Sequence, residues 1–482
     1  MRVLLLRPKS PNERFGLGPF FRVEPLGLEY IASALRSHGH EVAIADLRFG
    51  PSLESMLRTH RPRLVGIASL HTLDMPSALA TARVVRRLAP QAVILLGGHA
   101  AVAFPSPLFD ASVDAIALDD GEIVTPGVAD AVEHGRPLSG VDGLLVRKGS
   151  GDELRFEPTP RGERLASLDE VPLPSRDLVA AYQSRYLCVH KSPIWAVETT
   201  RGCPYRCNFC SIWKVQEQSF RMRGIESVVQ DLAAAGPDVF VIDDLFFHPR
   251  ARSEELAREL SRRAVRKDWV LVQSRLDTVG RNPELLARWR PLAAHFDIFF
   301  GFEAPTDAAL SKLDKGFDLA GFEAGIRVAR EAGFGVTGNF VVDPDWDEHD
   351  FQAMWDLVDR LKLTRAGYTI QTPLPGTPLY DRMASRIVEK DWSKYDMHHI
   401  LFEPRLGRRR FFELFARSWK RNVLSSSSSA SSWWRWLRQV RVTQMVSLGR
   451  ALLETQRNMS VEALMREAFP LQIPAGVLPE GP

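Results

Sequence analysis

Short apolar runs alternate with helix-period segments over the first 145 residues. Val3–Leu6, Val42–Ala45, Leu64–Ser69, Val93–Leu96 and Ala115–Leu118 read as strands. Between them, Leu28–Ser37, Pro76–Leu88 and Val124–Glu133 repeat apolar positions at helical spacing. That rhythm predicts an α/β fold, a doubly wound parallel sheet of flavodoxin-like type. Such sheets bind ligands outside the carboxyl ends of their strands, where small residues permit close approach. Ser69-Leu70-His71-Thr72 and Gly97-Gly98-His99 lie at two of those ends.

Arg147–Pro174 is rich in charge, Gly and Pro, and reads as a linker carrying a hairpin. A second rhythm follows, with strands at Ala196–Thr200, Val239–Asp243, Val270–Arg275, Phe296–Phe302, Gly335–Val342 and Gly367–Thr372. Helical patterning fills the intervals at Ile225–Ala235, Arg252–Arg263, Pro283–Trp289 and Leu319–Ala332. Six such units predict a partial (β/α)6 barrel, whose chemistry gathers at the carboxyl ends of the strands. From about Leu379 the pattern turns helical and basic. Ser425–Ser429 with Ser431-Ser432 suits a flexible linker. Beyond it, Trp433, Trp434 and Trp436 interleave with Arg435, Arg438 and Arg441. That segment suits either a helix lying in a membrane interface or a tail helix docking its tryptophans on the barrel.

With 482 residues the chain has room for roughly three domains of about 150 residues. A hydrophobic content of 45% is enough for sizeable cores, and a net charge of +3 argues against a nucleic-acid partner. No run of eighteen apolar residues predicts a membrane-spanning helix.

Candidate chemistry concentrates in Cys203-Pro-Tyr-Arg-Cys207-Asn-Phe-Cys210, directly after the first strand of the second rhythm. Three thiolates at CxxxCxxC spacing can hold three irons of a [4Fe–4S] cube and leave the fourth open, whereas electron-transfer clusters usually have four protein ligands. A zinc site completed by His190 and Cys188 is the competing reading, disfavoured because no second cysteine pair follows. A disulfide scaffold is disfavoured by the small number of cysteines. Met1-Arg2 runs straight into Val3–Leu6, and with an oxygen-sensitive cluster this predicts a reducing cytoplasm. Cys188 is expected to be a buried, inert thiol.

The cysteine spacing resembles the radical SAM signature. Residues 1 to about 420 as a whole resemble the cobalamin-binding radical SAM family, and within it the bacterial hopanoid C-3 methylases. The likeness rests on Glu24-Pro25-Leu26-Gly27-Leu28-Glu29, Thr200-Arg201-Gly202-Cys203-Pro204, Val241-Ile242-Asp243-Asp244, Asp343–Asp347 and Thr372–Thr377. It implies a cobalamin-binding domain over 1–145, a linker over 146–185, a radical SAM barrel over 186–378 and a helical C-terminal region over 379–482.

The resemblance also implies roles. Cys203, Cys207 and Cys210 would bind the cluster. Asp243 and Asp244 would hold the S-adenosylmethionine amino group, with a helix N-cap as the plain alternative for Asp244. Ser274 and Arg275 would lie near its carboxylate and ribose, and Glu303 near the ribose hydroxyls. Ser69, His71, Gly97, Gly98 and His99 would face cobalamin. The loop Pro8–Glu13 lacks the histidine that replaces cobalt's lower ligand in related domains, so cobalamin is expected base-off without a histidine from that loop.

The implied reaction is methyl transfer to an unactivated sp3 carbon, at C-3 of a hopanoid lipid, consuming two S-adenosylmethionines per turnover. Its reductant would be a flavodoxin or ferredoxin. Tetrapyrrole cyclisation or natural-product methylation are the alternatives with the same cofactors, and a non-catalytic metal-binding module is the alternative from another class. A lipid substrate must be drawn from a bilayer, and the tryptophan–arginine segment predicts peripheral contact with the inner face of the membrane. Truncation after Leu424 is therefore expected to abolish flotation with anionic liposomes while leaving substrate-free S-adenosylmethionine cleavage unchanged. Undiminished flotation of the truncated chain would refute surface docking by the tail.

Overall fold

Seven strands build the first sheet: β1 (Arg2–Arg7), β2 (Glu41–Asp46), β3 (Leu64–Ala68), β4 (Val93–Gly97), β5 (Ala115–Ala117), β6 (Leu144–Lys148) and β7 (Arg155–Pro158). They belong to a computed structural model that describes residues 1–11, 18–162, 164–189, 191–316, 318–424, 449 and 453–469. Asn12, Glu13, His190, the serine stretch and the segment from Trp433 to Val442 lie outside the described residues.

The strand order is β2-β1-β3-β4-β5-β6-β7, with β1 to β5 parallel and the last two antiparallel. Both faces are covered, so β1 is apolar at consecutive positions. Val3 and Leu5 pack with α1 (Leu26–Ser37), whereas Leu4 and Leu6 pack on the opposite side with α2 (Met75–Leu88). A third helix, α3 (Gly121–Glu133), joins the α1 side. Because the order reverses at β1, the crevice for a ligand opens at the strand carboxyl ends.

The first unit runs past the expected boundary at residue 145. β6 straddles that position, and β7 adds an edge strand whose Phe156 stacks on Phe109 with ring centroids 4.6 Å apart. Charges at Arg147, Lys148 and Arg155 suggest a linker, but they are the ordinary decoration of edge strands.

The second sheet has six parallel strands in sequential order: β8 (Trp195–Val197), β9 (Asp238–Val241), β10 (Lys267–Ser274), β11 (Ala293–Glu303), β12 (Gly335–Val342) and β13 (Ala366–Ile370). β8 and β13 are its two edges, so the barrel is partial and open. Side chains alternate: Val239, Val241, Val270, Val272, Ile298 and Phe300 pack outward under the helices, and Phe240, Trp269 and Leu271 turn inward.

Those inward residues meet the chain between the two units. Phe21-Arg22 pairs antiparallel with Leu187-Cys188, and Phe21 lies edge-on to Phe240 at 5.3 Å. Tyr186 and Cys188 are fully buried in the same cluster. Val179 and Tyr182, in the segment expected to link the units, are buried in that cluster too, so its end is packed structure that helps stopper one end of the barrel. Burial drives the Cys188 thiol far above its ordinary value, as expected for an inert cysteine.

Glu24 ties the units together. Its Oε1 accepts from the Ala196 N–H of β8 at 2.6 Å, beside Arg176, whose Nη2 donates to the Ala196 carbonyl at 2.6 Å. Arg176 also pairs with the buried Asp231. On the outer side of the barrel, α4 (Arg408–Leu424) packs Phe411 against Phe351, and Met459, Leu464 and Phe469 join that core. Among the described residues no helix is long and apolar enough to cross a membrane.

Burial pushes the Glu24 carboxyl up to about 7, more than Arg176 pulls it down. Glu29, fully buried nearby, is likewise raised, by burial and then by the Glu24 charge. A raised carboxyl binds its proton more tightly in the folded state, so stability is fully present below the ordinary pKa and lost as pH rises through the folded value. Melting temperature is therefore expected to fall between pH 5 and pH 8. Glu24→Gln keeps an acceptor for Ala196 and is expected to flatten that fall; an equally steep profile in the variant would refute the assignment.

Candidate active site between two sheet ends

Thr200-Arg201 leaves β8 and pairs antiparallel with Arg221-Met222, closing residues 202–220 into the cysteine loop. Cys207 is buried, Cys203 and Cys210 are half-buried, and no disulfide joins them. Burial raises all three thiols, Cys210 to about 12, with Asp244 and the other cysteines adding to the effect there. Arg275 opposes it at Cys203, and Lys315 and Arg275 oppose it at Cys207. Three convergent soft donors flanked by two cations fit an iron–sulfur cluster bound as thiolates.

Strand parity sorts the remaining candidates. Asp244 is half-buried on the inward parity, and burial followed by the Asp243 charge raises it to about 7. Asp243 is committed elsewhere: its carboxylate accepts from the Thr199 N–H at 2.6 Å, the Thr199 hydroxyl at 2.5 Å and the Thr200 hydroxyl at 2.9 Å. It anchors the entrance to the cysteine loop, which corrects its expected role at the amino group. Ser274 shares the outward parity of Val270 and Val272, and its buried hydroxyl has no hydrogen-bond partner among the described residues.

Arg275 turns into the mouth. Its guanidinium lies 3.7 Å from the centre of the Tyr205 ring, inside the cysteine loop, while Nε donates to Asp277 at 2.9 Å. Glu303 sits at a β-bulge with a φ of 61°, a conformation that costs a non-glycine residue on the order of 1 kcal/mol. Its Oε1 accepts from Lys315 Nζ at 2.5 Å, and Lys315 in turn lies 5.9 Å from the Phe209 ring centre. Asn339, inward between Gly301 and Gly367 in the register, has a buried Oδ1 without a hydrogen-bond partner among the described residues. Tyr205, Lys315 and Asn339 were not anticipated. Only the period-2 alternation of β12, with Phe340 and Val342 outward, marks Asn339 in the sequence.

The first sheet brings its own candidates to the same place. Ser69 follows β3, and its fully buried hydroxyl has no hydrogen-bond partner among the described residues, which suits a polar ligand tail at that crevice. Gly98 has a φ of 116°, and a Cβ there would lie 2.6 Å from the Ser69 carbonyl oxygen. Glycine is thus demanded by the turn itself, whereas a Cβ on Gly97 would only touch Ala117. His71 is exposed at this edge. Burial, and then the neighbouring His71, push His99 down to about 4. His99 Nε2 is 2.7 Å from the Ser211 hydroxyl, next to Cys210.

The two sets of strand ends therefore face each other across the cysteine loop. Residues 19–129 match the B12 binding domain family, and residues 197–358 match the radical SAM superfamily. The chain belongs to the cobalamin-binding radical SAM family. Its fold accords with two solved structures. A cobalamin-dependent radical enzyme, OxsB, with aqua-cobalamin and S-adenosylmethionine bound, gives a TM-score of 0.71 at 16% identity, covering 95% of this chain and 71% of that one. The methyltransferase TsrM from Kitasatospora setae, with cobalamin and a [4Fe–4S] cluster bound, gives 0.62 at 21% identity, covering 80% and 78%. In sequence the chain is 28% identical to the hopanoid C-3 methylase of Methylococcus capsulatus over 400 residues, 82% of this chain and 75% of that protein. It is 24% identical to the anaerobic magnesium-protoporphyrin IX monomethyl ester cyclase of Rubrivivax gelatinosus over 430 residues, 84% and 74% of the two chains. Family membership implies a [4Fe–4S] cluster, S-adenosylmethionine and cobalamin as cofactors.

Single Cys203→Ala, Cys207→Ala and Cys210→Ala variants are expected to lose the bulk of their iron and all reductive cleavage of S-adenosylmethionine. Cys188→Ala is expected to keep both, because its thiol is sealed in the stopper. Iron analysis after anaerobic reconstitution checks this, and a cluster surviving loss of Cys207 would refute the ligand set.

Proposed function

We propose that this chain is a cobalamin-dependent radical SAM C-methyltransferase acting on an unactivated sp3 carbon of an apolar substrate, C-3 of a hopanoid lipid. The observation that carries the reading is the convergence of the two sheet ends on one cysteine loop. A substrate carbon held there lies between a methyl-donating face and a radical-generating one. The bound cofactors supply hydrogen abstraction from an unactivated carbon and a transferable methyl group.

The protein's part is placement. Cys203, Cys207 and Cys210 hold the cluster, and Asp244, half-buried beside Cys203 and Cys210, accepts from the S-adenosylmethionine ammonium. Arg275 pairs with its carboxylate, and Glu303, already held by Lys315, accepts from the ribose hydroxyls. Ser69 donates to the cobalamin tail, which threads past Gly97 and Gly98. The inward wall at Ile242 and Phe299 is apolar, so it keeps water from the reacting carbon. A small one-electron carrier of flavodoxin or ferredoxin type serves as reductant.

The Methylococcus methylase, alignable over 82% of this chain, supports the hopanoid assignment. A second reading, oxidative cyclisation of a tetrapyrrole, is favoured by the cyclase relative spanning 84% of the chain. Expression in a host that makes desmethyl hopanoids is expected to yield hopanoids heavier by one CH2, detected by lipid mass spectrometry. An unchanged lipid profile, together with a cyclised tetrapyrrole that gains no CH2, would replace the first reading with the second.

A further inference from the structure

Asp120 occupies the residue before α3, where an aspartate ordinarily caps the helix with its own side chain. Here it makes no cap bond. Its carboxylate is turned out of the first sheet toward the cysteine loop, and grips that loop at both ends. Arg201, which enters the loop, donates from Nη1 to Oδ1 at 3.2 Å. Arg221, which leaves it, bonds through both terminal nitrogens, Nη1 to Oδ2 and Nη2 to Oδ1, the latter at 3.1 Å.

The surroundings are built for this grip. Arg201 also donates to Glu122 at 2.7 Å and to Glu198 at 2.9 Å, so α3 and the residue just after β8 share its guanidinium. The Leu165 N–H donates to Asp120 Oδ2 at 3.3 Å. Burial alone would raise the Asp120 carboxyl, yet the Arg221 hydrogen bond and the two guanidinium charges hold it below the usual carboxylate range. Arg201 is followed by Gly202, with a φ of 99° and a hypothetical Cβ only 2.2 Å from the Ser219 carbonyl oxygen. The loop is cinched there, so a movement of Arg201 passes directly to Cys203 two residues further on.

We propose that Asp120 is a positioning residue that fixes the spacing between the cobalamin-binding domain and the iron–sulfur cluster by clamping Arg201 and Arg221 at the two ends of the cysteine loop. The proposal rests on the cofactor reading above and adds a division of labour. The barrel supplies the cysteine loop, but the cobalamin-binding domain holds it in register through Asp120 at its base and His99 against Ser211 further along.

The test reads geometry without substrate. The full chain is reconstituted anaerobically with iron, sulfide and hydroxocobalamin, reduced, and examined by electron paramagnetic resonance. The readout is how strongly the reduced cluster speeds spin relaxation of the cobalt(II) signal, which depends steeply on their separation. Asp120→Asn keeps volume but releases the clamp. It is expected to cut the enhancement by about half at unchanged iron and cobalt content, as a displacement on the order of 1 Å would. Arg221→Lys, which keeps charge but loses the two-pronged contact, is expected to change in the same direction by less. Arg36→Ala, at the exposed pair with Asp177, is expected to match the wild type. Wild-type enhancement in both Asp120→Asn and Arg221→Lys would overturn the proposal. If Asp120→Asn does not fold, the Arg221→Lys result decides alone. A wild-type chain that retains no cobalamin would instead overturn the cofactor reading.

Discussion

Two guanidinium groups share one carboxylate at the start of α3, and the juxtaposition of the two sheets depends on that sharing. Asp120 and Arg221 have side chains only 7% and 6% exposed, so their charges are removed from water together. Such pairs add little net stability over apolar packing, but losing one partner strands the other at a cost of about 3–5 kcal/mol. Their value is specificity of arrangement. Apolar contacts between the units, through Phe21, Phe240 and Tyr186, supply area but tolerate sliding. The Asp120 clamp, the Glu24 bond to Ala196 and the His99–Ser211 bond each accept only one register.

Much of this was legible in the sequence, for reasons that differ between elements. The strands of both sheets stand out because burial on two faces requires unbroken apolar runs, and their order follows from the β/α rhythm. The three cysteines are legible because a cluster demands several ligands within a short loop. The boundary at residue 145 was not, because an edge strand bearing Arg147 and Lys148 carries the same charge as a solvated linker. Asp243 was misplaced by reading strand ends as points rather than as alternating faces. Val241 and Val272 point outward, which puts Asp244 and Arg275 inward and their neighbours elsewhere.

Long-range partners were the illegible part. Nothing local to Lys315 marks it as the partner of Glu303, since the two meet only when the chain after β11 folds back over the barrel mouth. Arg201 stands within a recognisable motif, yet its partners Asp120 and Glu122 lie some eighty residues earlier. Local pattern reveals which residues an element presents. It does not reveal which residues of another element receive them.

The stoppered, unclosed barrel has a consequence of its own. In a closed eight-stranded barrel the side chains of the strands fill the interior in layers, and ligands are confined to the rim. Here six strands leave a seam between β8 and β13, and the filling at one end is borrowed from the segment around Tyr182, Tyr186 and Cys188. At the opposite end Gly301 and Gly367 flank Asn339 in the register, with Arg275 and the Glu303–Lys315 pair at the mouth. A barrel that does not close is thus completed from outside its own strands, and the joining segment becomes part of its interior.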